Sequence, residues 1–452
     1  MSEIHGRAKL FSETPVRRAI LTLAIPTVIS QLITVVYNMA DTFFIGQMGD
    51  PRQVAAATLA MPCFMFLTAF ANLFGLGGSS LISRCLGAGN RERAMRCASF
   101  CIWTGAVAAL VYGLLVVLAE PVLLPILGAS QETWTYCRQY ICWTIGVGAV
   151  PTVMNAELAH LIRAEGYSKQ AGFGVAFGGI LNILLDPLFI FVFKLEIAGA
   201  AIATMLSNLI AMGYFLGFLY RIRETTVITP TPRKFTLRER IPAEVLAVGL
   251  PGFTMTMMST VSNTVLNHIV AGYSSTTIAG MGIAKKIDLL AYAIAQGMTQ
   301  GTLPLIGYNY SSGNRRRMKQ AIRTALLYSL LVACVGAMLL WFLAVPITRC
   351  FISDAKTVHY GQSFLKIICL ACPSTAINFM AITVFQATGQ KRQPLLLSLL
   401  RKGSLDVGFM IALNHFVGVE GIAWATPLAD WLALLISVAL IVPYLRRLNA
   451  EG

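Results

Sequence analysis

The chain is built from recurring apolar stretches of 20 or more residues, parted by short polar segments. About 20 apolar residues in a helix cross a hydrocarbon core of about 30 Å. Within that core every backbone N–H and C=O must find a partner, and a continuous apolar run meets this condition as a helix. A membrane β-barrel shows short alternating segments, and these runs do not alternate. Composition agrees, since 56% of residues are hydrophobic and only 12% charged, where a soluble domain carries about a quarter charged residues. The expected class is an all-α polytopic membrane protein lying in a lipid bilayer. The runs predict twelve transmembrane helices at 17–46, 53–83, 94–119, 134–162, 170–193, 197–220, 243–271, 277–309, 318–345, 358–388, 394–417 and 421–444.

The net charge of +15 raises the question of nucleic acid. The basic residues instead follow the loops. Arg221, Arg223, Arg233, Lys234, Arg238 and Arg240 share one loop, and Arg315, Arg316, Arg317, Lys319 and Arg323 another. Lys and Arg mark cytoplasmic loops. The excess is therefore topological, no nucleic-acid partner is expected, and both termini face the cytoplasm of a prokaryotic cell. Residues 1–16 are polar and show no cleavable signal, so the first span is expected to stay in place. Cys369 and Cys372 form a C-x-x-C inside a span without His or acidic neighbours, which reads as buried thiols and not a zinc site.

Splitting the chain at its basic loop reveals a duplication. GSSLISRCLGAGNRERAM (78–95) parallels GTLPLIGYNYSSGNRRRMKQA (301–321), and RAEGYSKQ (163–170) parallels QATGQKRQ (386–393). GAAIATMLSN (199–208) parallels GIAWATPLAD (421–430), and the spans holding Pro26 and Asn38 parallel those holding Pro251 and Asn263. The copies lie 222 to 225 residues apart. Six spans per copy is an even number, so both copies enter from the same side, related by a pseudo-two-fold along the membrane normal. The expected organisation is a cytoplasmic segment 1–16, an N-lobe 17–220, a cytoplasmic basic linker 221–242, a C-lobe 243–445 and a cytoplasmic tail 446–452. Repeats of this kind commonly bind substrate between the halves near the midplane. Of the prolines within spans, Pro26 is the leading hinge candidate, because its helix carries Asp41.

Ionisable groups inside the spans are few and costly. They are Asp41, Glu157, Asp186, Asp288, Asp406 and Asp430. Asp41 lies past the middle of the first span, and Asp186 and Thr204 fall at a compatible depth. Asn182 precedes Asp186 by four and shares its helical face. Pro187 follows and can leave a carbonyl without its helical donor. This all-oxygen set suits a hard cation such as Na⁺. It suits a proton equally, since burial and a second carboxylate favour protonation. Separate pairing of each acid with its own basic or backbone group is the other reading of the spacing.

The twelve spans, the two halves, PTVISQLITVVYNMADTFFIG, LGAGNRERA, LIRAEGYSKQ and LNILLDPLFIF with GAAIAT resemble the multidrug and toxic compound extrusion (MATE) family over roughly 15–445, in its DinF-like and archaeal-like subgroup. The resemblance implies an N-lobe cation or proton site at Asp41, Asn182, Asp186 and Thr204, with Tyr37, Asn38 and Asn155 lining the same pocket. Members resembling NorM carry acids in the seventh and tenth helices. Here PGFTMTMMSTVSNTVLNHIV and CLACPSTAINFMAITVFQATG carry none.

The remaining ionisable groups have local explanations. Asp288 pairs with Lys285 at i, i+3, Asp406 has Lys402 four residues before it, and Asp430 receives no role. Glu157 is two residues from Asn155 and faces another way. His268 reads as a structural residue. Met255, Met257, Met258, Met281 and Met298, with Phe253, enrich the C-lobe. Flexible thioethers serve promiscuous binding or plain packing alike, and Met257 and Met281 are taken as substrate-pocket candidates.

These features point to a monomeric antiporter without a cofactor, exporting small organic, cationic or amphipathic compounds against Na⁺ or H⁺. The alternative is a lipid-linked precursor flippase, disfavoured because core basic residues are few, chiefly Lys285 and Lys286. No Ser/His/Asp set, H-E-x-x-H or phosphate loop marks an enzyme. Duplication with intramembrane acids fits alternating access better than a channel.

Overall fold

The computed structural model describes residues 9–450, with side chains described to residue 448. The first eight residues of the expected N-terminal segment and the end of the tail lie outside that range. Twelve long helical rods follow one another: α1 (Val16–Gln47), α2 (Pro51–Gly87), α3 (Arg91–Leu118), α4 (131–164), α5 (Ser168–Val192), α6 (Glu196–Arg221), α7 (Ile241–Val270), α8 (Ser275–Ser311), α9 (Arg315–Phe342), α10 (Ala355–Ala387), α11 (392–417) and α12 (Val419–Leu448). No strand occurs among the described residues.

Nine rods are long and apolar enough to cross a membrane on their own, and α4 joins them if its two segments are one bent span. The other two, α8 and α11, carry Lys285, Lys286 and Asp288, and Arg401, Lys402 and Asp406, in their middles. Leu, Val and Phe side chains stand exposed along α3 and α9, as a lipid-facing surface requires. Polar caps start several rods: Asp50 accepts from the Arg52 amide at α2, Asn90 from the Arg93 amide at α3, and Asn314 from the Arg317 amide at α9. The Gly-Asn turns of the repeat thus serve as helix stops and starts, with Gly89 and Gly313 in the left-handed region that glycine tolerates.

Three rods carry π-turns. α4 bends by 50° at Gly148, after a π-helical turn over Cys142–Val147. α5 ends in a π-turn over Leu188–Val192, and α11 contains one over Leu400–Leu405. Such turns frequently accompany functional sites. By contrast α1 runs unbroken through Pro26.

The two lobes meet along α1 and α2 of the first and α7, α8 and α10 of the second. Inter-lobe hydrogen bonds join Gln31 to Gln300 (2.8 Å), Asn72 to Thr256 (3.0 Å) and the Ser80 hydroxyl to the Gln386 carbonyl (2.6 Å). Glycine permits the close approach: a Cβ on Gly249 would collide with the Leu73 carbonyl, and one on Gly297 would lie 2.6 Å from Val28 Cα. These contacts lie in the half nearer the linker, with the Asn72–Thr256 bond at mid-height. There Arg317 Nε also donates to the Phe11 carbonyl at 2.6 Å, and Phe11, Ile20 and Leu23 share an apolar cluster with Leu305 and Met318. Among the described residues no inter-lobe hydrogen bond joins the far halves of α1, α2, α7 and α8.

The linker is not a free strand. Arg91 binds the Thr225 carbonyl (2.8 Å), Trp103 the Pro230 carbonyl (2.8 Å) and Ser99 the Thr231 carbonyl (3.0 Å). Lys234 pairs with Glu92 at 2.8 Å, and Glu165 accepts from the Thr226 hydroxyl at 2.5 Å. Arg96 reaches Glu239, and Glu239 and Arg240 turn the chain into α7 in the left-handed region, at φ 58° and 57°.

Candidate cation-coupling site

Asp186 lies one turn after Asn182 on α5, so both project toward α6. The Asn182 amide donates to Asp186 Oδ1 and to Thr204 Oγ1, at 3.3 Å in each case. Asp41 arrives from α1 and lies within electrostatic reach of Asp186. Tyr37, one turn earlier on α1, lies within electrostatic reach of both carboxylates, as does Tyr140 of α4. The cluster therefore draws on α1, α4, α5 and α6 of one lobe.

Its chemistry lies in what is left unpaired. Asp41 Oδ1, Asn182 Oδ1 and Asp186 Oδ2 are buried without a hydrogen-bond donor. A buried acceptor left unpaired is costly, and a buried unpaired carboxylate more so. Two carboxylates, an amide oxygen and a hydroxyl form a hard-oxygen set, which fits an alkali cation or a proton. Among the described residues no three His, Cys, Asp or Glu side chains gather as a transition-metal site would need.

The expected neighbours separate into two groups. Asn155 joins the cluster through Asn208, which spacing alone had not flagged. Asn155 Nδ2 donates to Asn208 Oδ1 at 2.8 Å, and Asn208 Nδ2 donates to the Thr204 carbonyl at 2.9 Å. Asn38 is exposed, its amide donates back to the Thr34 carbonyl at 2.8 Å, and its side chain lies beside Tyr37.

In the second lobe the pocket expectation for Met281 needs correction. This side chain is 2% exposed and packs with Leu266, Ile283 and Phe364 in an apolar core. It lies on the face of α8 turned toward α10, so it is filler and not lining. Met257 is half-buried. Met255 instead borders an open pocket where α2, α7, α8 and α10 meet, together with Asn72, Thr256, Gln296, Gln300 and Phe379.

The count of core basic residues also changes. Lys285 is partly buried and Lys286 exposed, and the structure adds the buried Arg163 and Arg401 and the partly buried Lys402 within the lobes. Arg401 grips Asp430, which had no assigned partner, and Lys402 stands 3.4 Å from Asp406. Lys285 lies 3.8 Å from Asp288, at the local spacing expected. Glu157 is fully buried on α4 with both carboxylate oxygens unpaired, against Gly105 of α3. Cys369 and Cys372 are buried free thiols, the first opening a 3₁₀ turn and the second opening the helical segment that follows it in α10.

The MatE family profile matches residues 26–188 and 251–410, one match in each half of the duplication. The chain belongs to the MatE family. It is a membrane transporter of two six-helix lobes, and not an enzyme. This MatE chain is 29% identical, over 97% of its length and 95% of the relative's, to the Multidrug export protein MepA of Staphylococcus saprophyticus. It is 28% identical, with the same coverage, to MepA of Staphylococcus aureus. Its fold is similar to a MATE crystal structure in complex with MaL6, with TM-score 0.91 and 24% identity, covering 98% of this chain and 99% of the other. It is likewise similar to the outward-facing conformation of a multidrug resistance MATE family transporter of the MOP superfamily, with TM-score 0.89 over 98% of both chains.

Proposed function

We propose that this protein is a monomeric multidrug antiporter of the prokaryotic cytoplasmic membrane, exporting cationic or amphipathic organic compounds in exchange for Na⁺ or H⁺. Coupling is assigned to Asp41, Asn182, Asp186 and Thr204. The observation that carries this reading is the set of three buried, unpaired oxygens on Asp41, Asn182 and Asp186. The two staphylococcal relatives, named as multidrug export proteins, support the export of varied organic compounds.

With the termini and linker cytoplasmic, the observed seal lies on the cytoplasmic side and the molecule is outward-facing. Substrate leaves and the ion enters in this state. The ion neutralises the carboxylates and lets α1 repack, with Pro26 as the point where its ladder lacks a donor. Two lobes with two stable packings then exchange access, biased by whichever ligand is bound.

The test is efflux of a cationic dye from everted vesicles, imposing a Na⁺ gradient and a pH gradient separately. Asp41→Asn is expected to abolish gradient-driven efflux at normal expression. Full gradient-driven activity in that variant overturns the assignment.

A further inference from the structure

The second lobe holds a buried polar cluster that the coupling scheme leaves unused. Asp406 of α11 is 1% exposed. Its Oδ2 accepts from the Ser262 hydroxyl of α7 at 2.7 Å and from the Lys402 ammonium at 3.4 Å. Its Oδ1 accepts from the Thr426 hydroxyl of α12 at 3.1 Å. Lys285 of α8 donates to the same Thr426 hydroxyl at 3.1 Å. Lys402 and Thr426 border an open pocket, with Asp288 and the Arg401–Asp430 pair on its wall.

The duplication lays this cluster over the N-lobe site. Thr204 closes GAAIAT in the sixth rod, and Thr426 closes GIAWAT in the twelfth, 222 residues on. The fifth-rod partner of Thr204 is Asn182, and the eleventh-rod partner of Thr426 is Asp406. On the first and seventh rods, Ser262 follows Tyr37, and Leu266 follows Asp41, by 225 residues. The π-turn over Leu400–Leu405 adds one residue to α11, which brings its spacing to α5 to 224.

One helical turn either side, the lobes diverge. Before Asn182 stands Gly178, where a Cβ would lie 2.9 Å from Ala211 Cβ and no long side chain fits. Before Asp406 stands Lys402. After Asn182 stands Asp186, and after Asp406 stands Met410. The first lobe thus has two carboxylates and, among the described residues, no ion pair to either. The second has one carboxylate with an ammonium attached to the chain.

We propose that the Lys402 ammonium is a tethered counterpart of the coupling cation, which keeps the C-lobe oxygen site permanently filled and confines exchangeable ion binding to the N-lobe. This rests on the reading of the N-lobe cluster as the coupling site. The Lys402 ammonium against the Asp406 carboxylate, which the Ser262 and Thr426 hydroxyls also contact, meets the same charge demand as an alkali ion. Being covalently held, it is never released and carries no charge across the membrane. Without it, Asp406, Ser262 and Thr426 present a hard-oxygen set to a monovalent cation.

The experiment is equilibrium binding of radioactive Na⁺ to purified full-length protein in lipid nanodiscs, with N-methylglucamine as the balancing cation. The background carries Asp41→Asn and Asp186→Asn. Adding Lys402→Met is expected to create saturable binding of a single Na⁺, and adding Asp406→Asn to remove it. Lys402→Gln is a second variant should the methionine disturb folding, and Lys285→Met tests whether the neighbouring ammonium moves in. If none of the monodisperse Lys402 variants, with or without Lys285→Met, gains Asp406-dependent Na⁺ binding, the proposal is overturned. Failure of the N-lobe reading shows separately, as Asp41→Asn alone leaving gradient-driven dye efflux intact.

Discussion

Arg401 holds Asp430 across α11 and α12, with Nε 2.6 Å from Oδ1 and Nη2 3.0 Å from Oδ2. Thr375 of α10 adds its hydroxyl to the same carboxylate at 2.5 Å, and the guanidinium lies over the Phe379 ring at 4.8 Å. Arg401 is 1% exposed, so removing either partner strands a buried charge. Arg401→Met should lower stability by about 3–5 kcal/mol, and the double variant Arg401→Met/Asp430→Leu should recover most of the loss. Thermal unfolding followed by circular dichroism checks both. Equal losses in single and double variants would contradict the pairing.

Asn182 orients Asp186 and Thr204 with one amide. Asn182→Ala removes both bonds and a candidate ligand oxygen while leaving the two carboxylates. Loss of an orienting group of this kind typically costs tenfold or more in ion affinity, so the ion dependence of efflux should shift about tenfold toward higher concentration. Maximal efflux at saturating ion should be largely retained. An unchanged ion dependence would argue against a shared site.

Glu244 at the foot of α7 receives Arg93 of α3 at 2.8 Å and Arg84 of α2 at 3.5 Å. These partly exposed pairs close the linker side of the molecule. Glu244→Gln should weaken that closure by about 1 kcal/mol, about a fivefold change in the balance of the two states. Spin labels at Val122 and Phe351, both exposed near the far ends of their lobes, would report a larger closed-distance fraction.

Gly249→Leu tests the seal by bulk. Its side chain would enter the space of the Leu73 carbonyl, so the two lobes cannot meet there. Efflux should be lost at normal expression. The thiol of Cys85, 4% exposed in the sealed molecule, should become reactive from the linker side. Protection of Cys85 in this variant would place the seal elsewhere.

The architecture was legible because hydropathy and duplication are written along the chain. Asn182 and Asp186 share a face at i, i+4, so their meeting was legible too. Contacts set by tertiary packing were not. Asn208 lies 53 residues from Asn155, and nothing in either segment indicates that their amides meet. Arg401 and Asp430 are 29 apart and belong to different rods. Nor does the sequence show that the Asn38 amide donates to its own backbone, at the Thr34 carbonyl. Met281 is a polarisable side chain whose face only the packed lobe reveals.

The docking of the linker on α3 has a mechanical consequence. Residues up to Phe235 are anchored, since its ring lies 6.1 Å from that of Phe100. When Arg93 and Arg96 let go of Glu244 and Glu239, only residues 236–240 are freed before α7 begins. Five extended residues reach at most about 18 Å. The connection between the halves therefore acts as a limit stop, setting the longest stroke the two lobes can make on that face of the membrane.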